Sequence, residues 1–280
     1  MKSIYRIAVT TLIAGSAAWG AASADPFSGI HPLQYERFNV TLGGFYSDIE
    51  GNYSLDDPNG DDGTDVDLDD LGLGDAETLP SVGFTWRVSN HSRIQAEYIT
   101  VGQDTKRTIN KNIDWGDLDF ELGATVKTNM DMDIGRLFYG YSFVKDGNKE
   151  FGAGIGLHYA TLDMSLAGNA TINREPVIDV EEGIDDWAVL PNIGIYGNYA
   201  FSSKWLIGGR VDWIGASIGD YEGELWNTEV AVQYQAFRNF GVGVSYRYLT
   251  FDISTDNREK GDWAADLEYS GPSLFLTANF

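Results

Sequence analysis

Asp57, Asn59, Asp61 and Asp65 set oxygen donors at alternate positions of one acidic stretch, the spacing with which a calcium loop holds a hard cation. The stretch departs from an EF-hand, because Asp62 stands where the sharp turn needs glycine and Leu68 where the twelfth-position glutamate belongs. It reads either as a calcium or magnesium site or as a solvated acidic loop. Histidine chemistry has little material, since His31, His91 and His158 are the only three. His158 precedes Tyr159 and Ala160, so it has no close serine partner and reads as a buried hydrogen-bonding residue. The absence of cysteine excludes disulfides, thiolate metal sites and a cysteine nucleophile. With 42 acids against 19 lysines and arginines, the chain carries a net charge of −23. Nucleic acid is excluded on that ground, because binding it draws on Lys and Arg to neutralise phosphate. A hydrophobic fraction of 43%, with 15 Tyr, 14 Phe and 8 Trp, is too high for a disordered acidic protein.

A second charged set is dispersed along the chain: Arg87, Arg93, Glu97, Arg136, Arg210, Asp212, Glu229 and Arg247. What it can do depends on the elements that carry it. From Arg37 onward apolar residues alternate with polar or small ones, as in Val40, Leu42 and Tyr46, or Leu137, Tyr139, Tyr141 and Phe143. Period two puts each apolar set on one face of a strand. Ten such segments are present, and the dispersed charges and His158 fall on their opposite faces. A soluble sandwich buries the apolar face, whereas a transmembrane barrel turns it toward lipid and keeps a polar lumen.

Three features separate those readings. Short links at 88–92, 145–149, 202–204 and 238–239 alternate with mostly longer ones, including 48–79 and 168–186, as in outer-membrane barrels. Trp86, Phe143, Phe151, Phe201, Trp205 and Phe280 lie beside the short links, while Tyr98, Tyr159, Trp213 and Trp226 lie about a membrane thickness away, as two aromatic girdles. The third feature is an inversion within single strands. Leu118, Phe120, Leu122, Met130 and Met132 occupy even positions with acids between them, yet past Gly135 the apolar positions are odd. Similar switches bring Ile49 and Tyr53, Leu162 and Met164, Phe251 and Ile253, and Leu267 and Tyr269 inward. A β-bulge explains one such switch. Five at one depth point instead to a change of outer solvent from lipid to water. The expected barrel is therefore polar inside across the bilayer and apolar inside above it.

Lys2 and Arg6, the small and apolar run to Gly20, and Ala22-Ser23-Ala24 read as a secretory signal peptide. With that segment, the alternating strands and the terminal stretch LFLTANF ending at Phe280, the chain resembles bacterial outer-membrane β-barrel proteins. The resemblance covers nearly the whole mature chain. It implies placement in the cell outer membrane, contact with its lipid and lipopolysaccharide, and recognition of the terminal aromatic Phe280 by the barrel-assembly machinery.

The expected organisation is a signal peptide at 1–24 and a periplasmic segment at 25–36. One all-β, antiparallel up-and-down barrel follows at 37–280, most simply of ten strands, with both termini periplasmic. Its acidic extracellular loops are expected at 48–79, 104–117 and 168–186. Omptin-like proteases of similar barrels use acids with a loop histidine, which the distal loops here lack, so the reading is non-enzymatic. In a ten-stranded barrel the charged set either plugs the lumen or lines a narrow path for a small solute. Leu118, Phe120, Met130, Met132, Leu162, Met164 and Phe251 form either a packed cap or a chamber for an apolar solute. The alternative function is surface interaction through acidic, cation-binding loops, and a hydrolase ranks below both.

Overall fold

The computed structural model describes residues 29–56, 63–172, 175–218, 221–255 and 262–280. The expected signal peptide and the loop residues Asp57, Asn59 and Asp61 lie outside them. After a 3₁₀ turn at Pro32–Gln34, the chain runs through β1 (Phe38–Leu55), β2 (Val66–Asp67), α1 (Leu68–Leu71), β3 (Glu77–Arg87) and β4 (Ser92–Thr108). A small hairpin, β5 (Ile113–Trp115) and β6 (Leu118–Phe120), precedes β7 (Thr125–Lys145), β8 (Lys149–Ile172) and β9 (Glu175–Ala200). The wall is completed by β10 (Trp205–Ile218), β11 (Tyr221–Gln235), β12 (Phe240–Thr255) and β13 (Trp263–Asn279). Ten long strands pair with sequential neighbours, and β1 pairs with β13, so the antiparallel sheet closes on itself as a barrel. Among the described residues no helix is long and apolar enough to cross a membrane.

The strands alternate as the residue pattern requires. On β7, Met130, Met132, Ile134, Arg136 and Phe138 point inward, while Leu137, Tyr139 and Tyr141 are exposed. Met132 is 3% exposed and Tyr139 48%, so the two side chains occupy opposite faces of one strand. The pairing of β7 with β4 keeps one register from Ser92–Tyr141 to Thr108–Thr125. Its pairing with β8 shifts only at Ser142/Val144, beside a short turn. The β12–β13 register is likewise continuous from Phe240–Ala278 to Thr255–Trp263. No bulge therefore accompanies the switch in these ladders. The inward face stays inward, and only the chemistry of the two faces changes with depth. Between β1 and β13 the pairing lapses around Gly271 and resumes in the same register. Gly271 has φ +155°, and a Cβ there would stand 2.1 Å from the Tyr46 carbonyl oxygen.

All three expected loops differ. In 48–79, β1 continues to Leu55, β2 and α1 form within the segment, and β3 begins at Glu77. The segment 168–186 is mostly strand, because β8 and β9 stay paired to Ile172–Glu175, with one irregularity at Gly168/Ala170 that accommodates the weaker alternation there. In 104–117, β4 continues to Thr108 and the β5–β6 hairpin begins. The run through Leu118–Met132 is also broken, by a turn in which Ala124 N–H bonds to the Glu121 carbonyl at 2.9 Å. Leu122 sits in that turn at 64% exposure, so it does not join the inward apolar set. Both ends of the barrel domain lie at the short-turn end, where Asn279 N–H bonds to the Asn239 carbonyl and Phe280 N–H to that of Phe38.

Candidate functional site

The lumen contains three layers. Nearest the short turns, Arg87 at the end of β3, Arg93 on β4 and Lys145 at the end of β7 surround Glu150 on β8. Arg87 holds both Glu150 carboxylate oxygens, at 3.0 and 2.9 Å, and Lys145 Nζ lies 2.9 Å from Oε2. Arg93 comes only to 3.9 Å, with its guanidinium carbon 3.4 Å from the centre of the Tyr196 ring. Ser142 Oγ donates to Glu150 at 2.5 Å. The 3₁₀ turn is tied to this layer: Arg87 donates to the Leu33 carbonyl at 3.1 Å, and Lys145 to the Gln34 carbonyl at 2.7 Å. His31 is buried behind it without a partner for Nε2, and burial lowers its pKa to about 4.

The middle layer spans the lumen. Arg136 on β7 grips Asp212 on β10 through Nε–Oδ2 at 2.6 Å and Nη2–Oδ1 at 2.9 Å. Arg210 bonds to Asp212 at 3.1 Å, to Glu229 on β11 at 3.0 Å and to Glu97 on β4 at 2.5 Å. Arg247 on β12 bonds to Glu97 and, at 3.1 Å, to Glu229. Three guanidinium groups thus face three carboxylates. His158, cross-strand from Arg136, is fully buried, with Nε2 3.3 Å from Asn227 Nδ2. It has no acid–nucleophile arrangement beside it among the described residues.

Above this lies the apolar layer. Leu118, Phe120, Met130, Met132, Leu162, Met164 and Phe251 are all buried and belong to one cluster with Ile49, Tyr53, Leu267 and Tyr269. The two tyrosine hydroxyls find thioether partners, Tyr53 with Met130 Sδ at 3.5 Å and Tyr269 with Met132 Sδ at 3.4 Å. A void of about 20 Å³ lies beside Met132, Leu162 and Phe251. The helix α1 and the β5–β6 hairpin add Leu68, Leu71 and Trp115 to the same core. This is a packed cap.

Outside the cap the wall is acidic. Asp131, Asp163 and Asp185 are direct cross-strand neighbours on β7, β8 and β9. Glu224, Asp252 and Asp266 repeat the arrangement on β11, β12 and β13. Like charges directly opposite oppose pairing. Partial burial, then the facing Asp163, raises the Asp131 pKa, and partial burial, then Asp266 and Glu224, raises that of Asp252. Asp65, from the expected cation loop, accepts a hydrogen bond from Asn52 at 3.3 Å. Among the described residues no three His, Asp or Glu side chains converge on a metal position.

All eight dispersed charges lie in the lumen. Glu150, Lys145 and Tyr196 join them at the short-turn end. Glu150 was readable, because it sits on the face opposite Phe151 and Ala153, but its place beside a short turn hid it.

No family model matches the sequence, and no curated protein matches it. Among solved structures, the outer-membrane protease OmpT from Escherichia coli is similar over 87% of this chain and 97% of its own, at 10% identity and a TM-score of 0.57. The Pseudomonas putida toluene transporter TodX covers 89% and 91% at 8% identity with a TM-score of 0.36. The Neisserial surface protein A covers 87% and 97% at 11% identity with a TM-score of 0.30. The chain has the closed, ten-stranded antiparallel barrel fold of bacterial outer-membrane proteins.

Proposed function

We propose that this is a non-conducting outer-membrane protein, a plugged barrel that serves as a structural wall element and presents an acidic outer face. The observation that carries the reading is the obstructed lumen: a balanced layer of three arginines and three carboxylates lies beneath a packed apolar cap. Solute passage would need both layers displaced together. The positions of the three histidines support a non-enzymatic role, since His31 and His91 lie at the short-turn end and His158 is sealed in the lumen. The exposed Phe280 side chain, at the end of β13, supports recognition by the barrel-assembly machinery. The test is planar-bilayer recording on refolded protein. Bilayers containing heat-modifiable, folded barrel should stay silent, and discrete single-channel steps would restore the solute-passage reading.

The two acidic rows favour a second role, contact with anionic lipopolysaccharide through bridging calcium or magnesium. Binding of lipopolysaccharide micelles to the folded barrel should then require millimolar magnesium and vanish with chelator. Equal binding in chelator would end this reading.

A further inference from the structure

Between the Glu150 layer and the Arg136–Asp212 layer the lumen encloses a cavity of about 200 Å³. Arg93, Arg247, Glu97, Glu229, Gln95 and Gln233 line it. Its electrostatics are not balanced. The middle layer matches three cations with three carboxylates, but at the short-turn end Arg87, Arg93 and Lys145 share only Glu150. Glu36 stands at the mouth and is partly exposed.

Arg93 is 4% exposed, its Nε has no hydrogen-bond partner, and its nearest carboxylate is beyond hydrogen-bond reach at 3.9 Å. Arg247 also borders the cavity, but its Nε and Nη1 are occluded and its Nη2 serves Glu97 and Glu229. Buried guanidinium donors without acceptors are costly, and a planar fork of N–H groups is suited to an oxyanion.

We infer that this cavity is a blind, periplasm-facing binding site for a small oxyanion of the phosphate or carboxylate type, held by Arg93. Gln95 brings a side-chain amide for the anion's remaining oxygens, and Gln233, whose Nε2 donates to Thr277 at 2.9 Å, borders the site. The apolar cap closes the site toward the cell exterior, so the ligand enters and leaves at the short-turn end. The site holds a ligand whether or not the outer face binds cations.

The test uses the full-length folded barrel in uncharged detergent micelles at low ionic strength, titrated with inorganic phosphate and, separately, with acetate. Side-chain amide resonances of Gln95 and Gln233 should shift with saturable, one-site behaviour, while that of Asn52 on the outer wall stays in place. Whichever probe saturates at lower concentration identifies the oxyanion type. Arg93→Gln should weaken the binding at least tenfold, and Arg107→Gln on the outer section should not. Should Arg93→Gln fail to fold, the wild-type shifts alone decide. Absence of saturation with both probes, shifts spread equally to Asn52, or unchanged affinity in folded Arg93→Gln would each overturn the site.

Discussion

Arg136 and Asp212 meet through two parallel hydrogen bonds, 2.6 and 2.9 Å long, though their strands are separated in the wall by β8 and β9. The contact is almost wholly buried. Removing one partner leaves the other charged and unmatched, which typically costs about 3–5 kcal/mol. Asp212→Ala should lower stability by that order in urea titrations of the vesicle-inserted barrel, while Arg136→Met with Asp212→Leu should recover most of the loss. A single-variant loss below about 1 kcal/mol would show that the pair is not held as described.

The outer face of β7 is apolar at Leu137, Tyr139 and Tyr141 and acidic at Asp131. Leu137→Arg introduces a charge into the apolar band and should cost about 2–4 kcal/mol if that residue is near the bilayer midplane. Asp131→Arg, on the same face but six residues away, should be neutral or stabilising, since it replaces one of three facing acids. Vesicle unfolding of both variants measures the contrast. Equal penalties would contradict a lipid–water boundary between the two positions.

The acidic rows have a defined pH signature. Asp131 and Asp252 have pKa values above the ordinary carboxyl value when folded, from partial burial and then facing acids. A carboxyl raised on folding destabilises the ionised native state fully above its folded pKa, and that loss is relieved as pH falls toward the unfolded value. The stability advantage of Asp131→Asn with Asp252→Asn over the parent should therefore be largest at neutral pH and disappear in mild acid. An advantage independent of pH between 7 and 4 would refute the carboxylate origin.

The tyrosines of the cap separate packing from hydrogen bonding. Tyr53→Phe keeps the ring and removes a hydroxyl that donates to the weakly accepting Met130 sulfur, so it should change stability by less than about 1 kcal/mol. Tyr53→Ala should cost about 3–5 kcal/mol by opening a cavity in the core. Guanidinium or urea midpoints of the two variants give the comparison.

Gly271 permits the close approach of β13 to β1. Gly271→Ala forces a Cβ toward the Tyr46 carbonyl at a positive φ and should cost about 1–3 kcal/mol. Gly123, also at positive φ but with open space around its Cβ position, is the matched control and should lose less.

Much of this barrel was readable from residue order, because alternation is a local property of each strand. The inversion around Gly135 was readable too, since it changes which parity is apolar over only a few residues. The identity of lumen residues such as Arg210 and Glu229 followed from parity alone. Their partners did not, because the Glu97–Arg210 contact depends on tilt and closure, which join positions 113 residues apart. The outer connections were least readable. Near Gly168 the alternation weakens, so a paired strand extension resembled a loop, and at Leu122 apolar parity ran on through a turn that pairing imposes.

The middle charge layer also bears on how a closing barrel chooses its register. Alternation guards against slips of one residue, because each would turn every side chain to the other face. A slip of two residues leaves the apolar and polar faces intact and passes that check. It would, however, carry Glu97, Arg210, Glu229 and Arg247 past one another by about 7 Å and leave charges stranded in the lumen. The contributors come from β4, β7, β10, β11 and β12, so the arrangement is complete only when the two halves of the chain have met in phase. Buried charge thus proofreads the even-numbered errors to which hydrophobic patterning is blind.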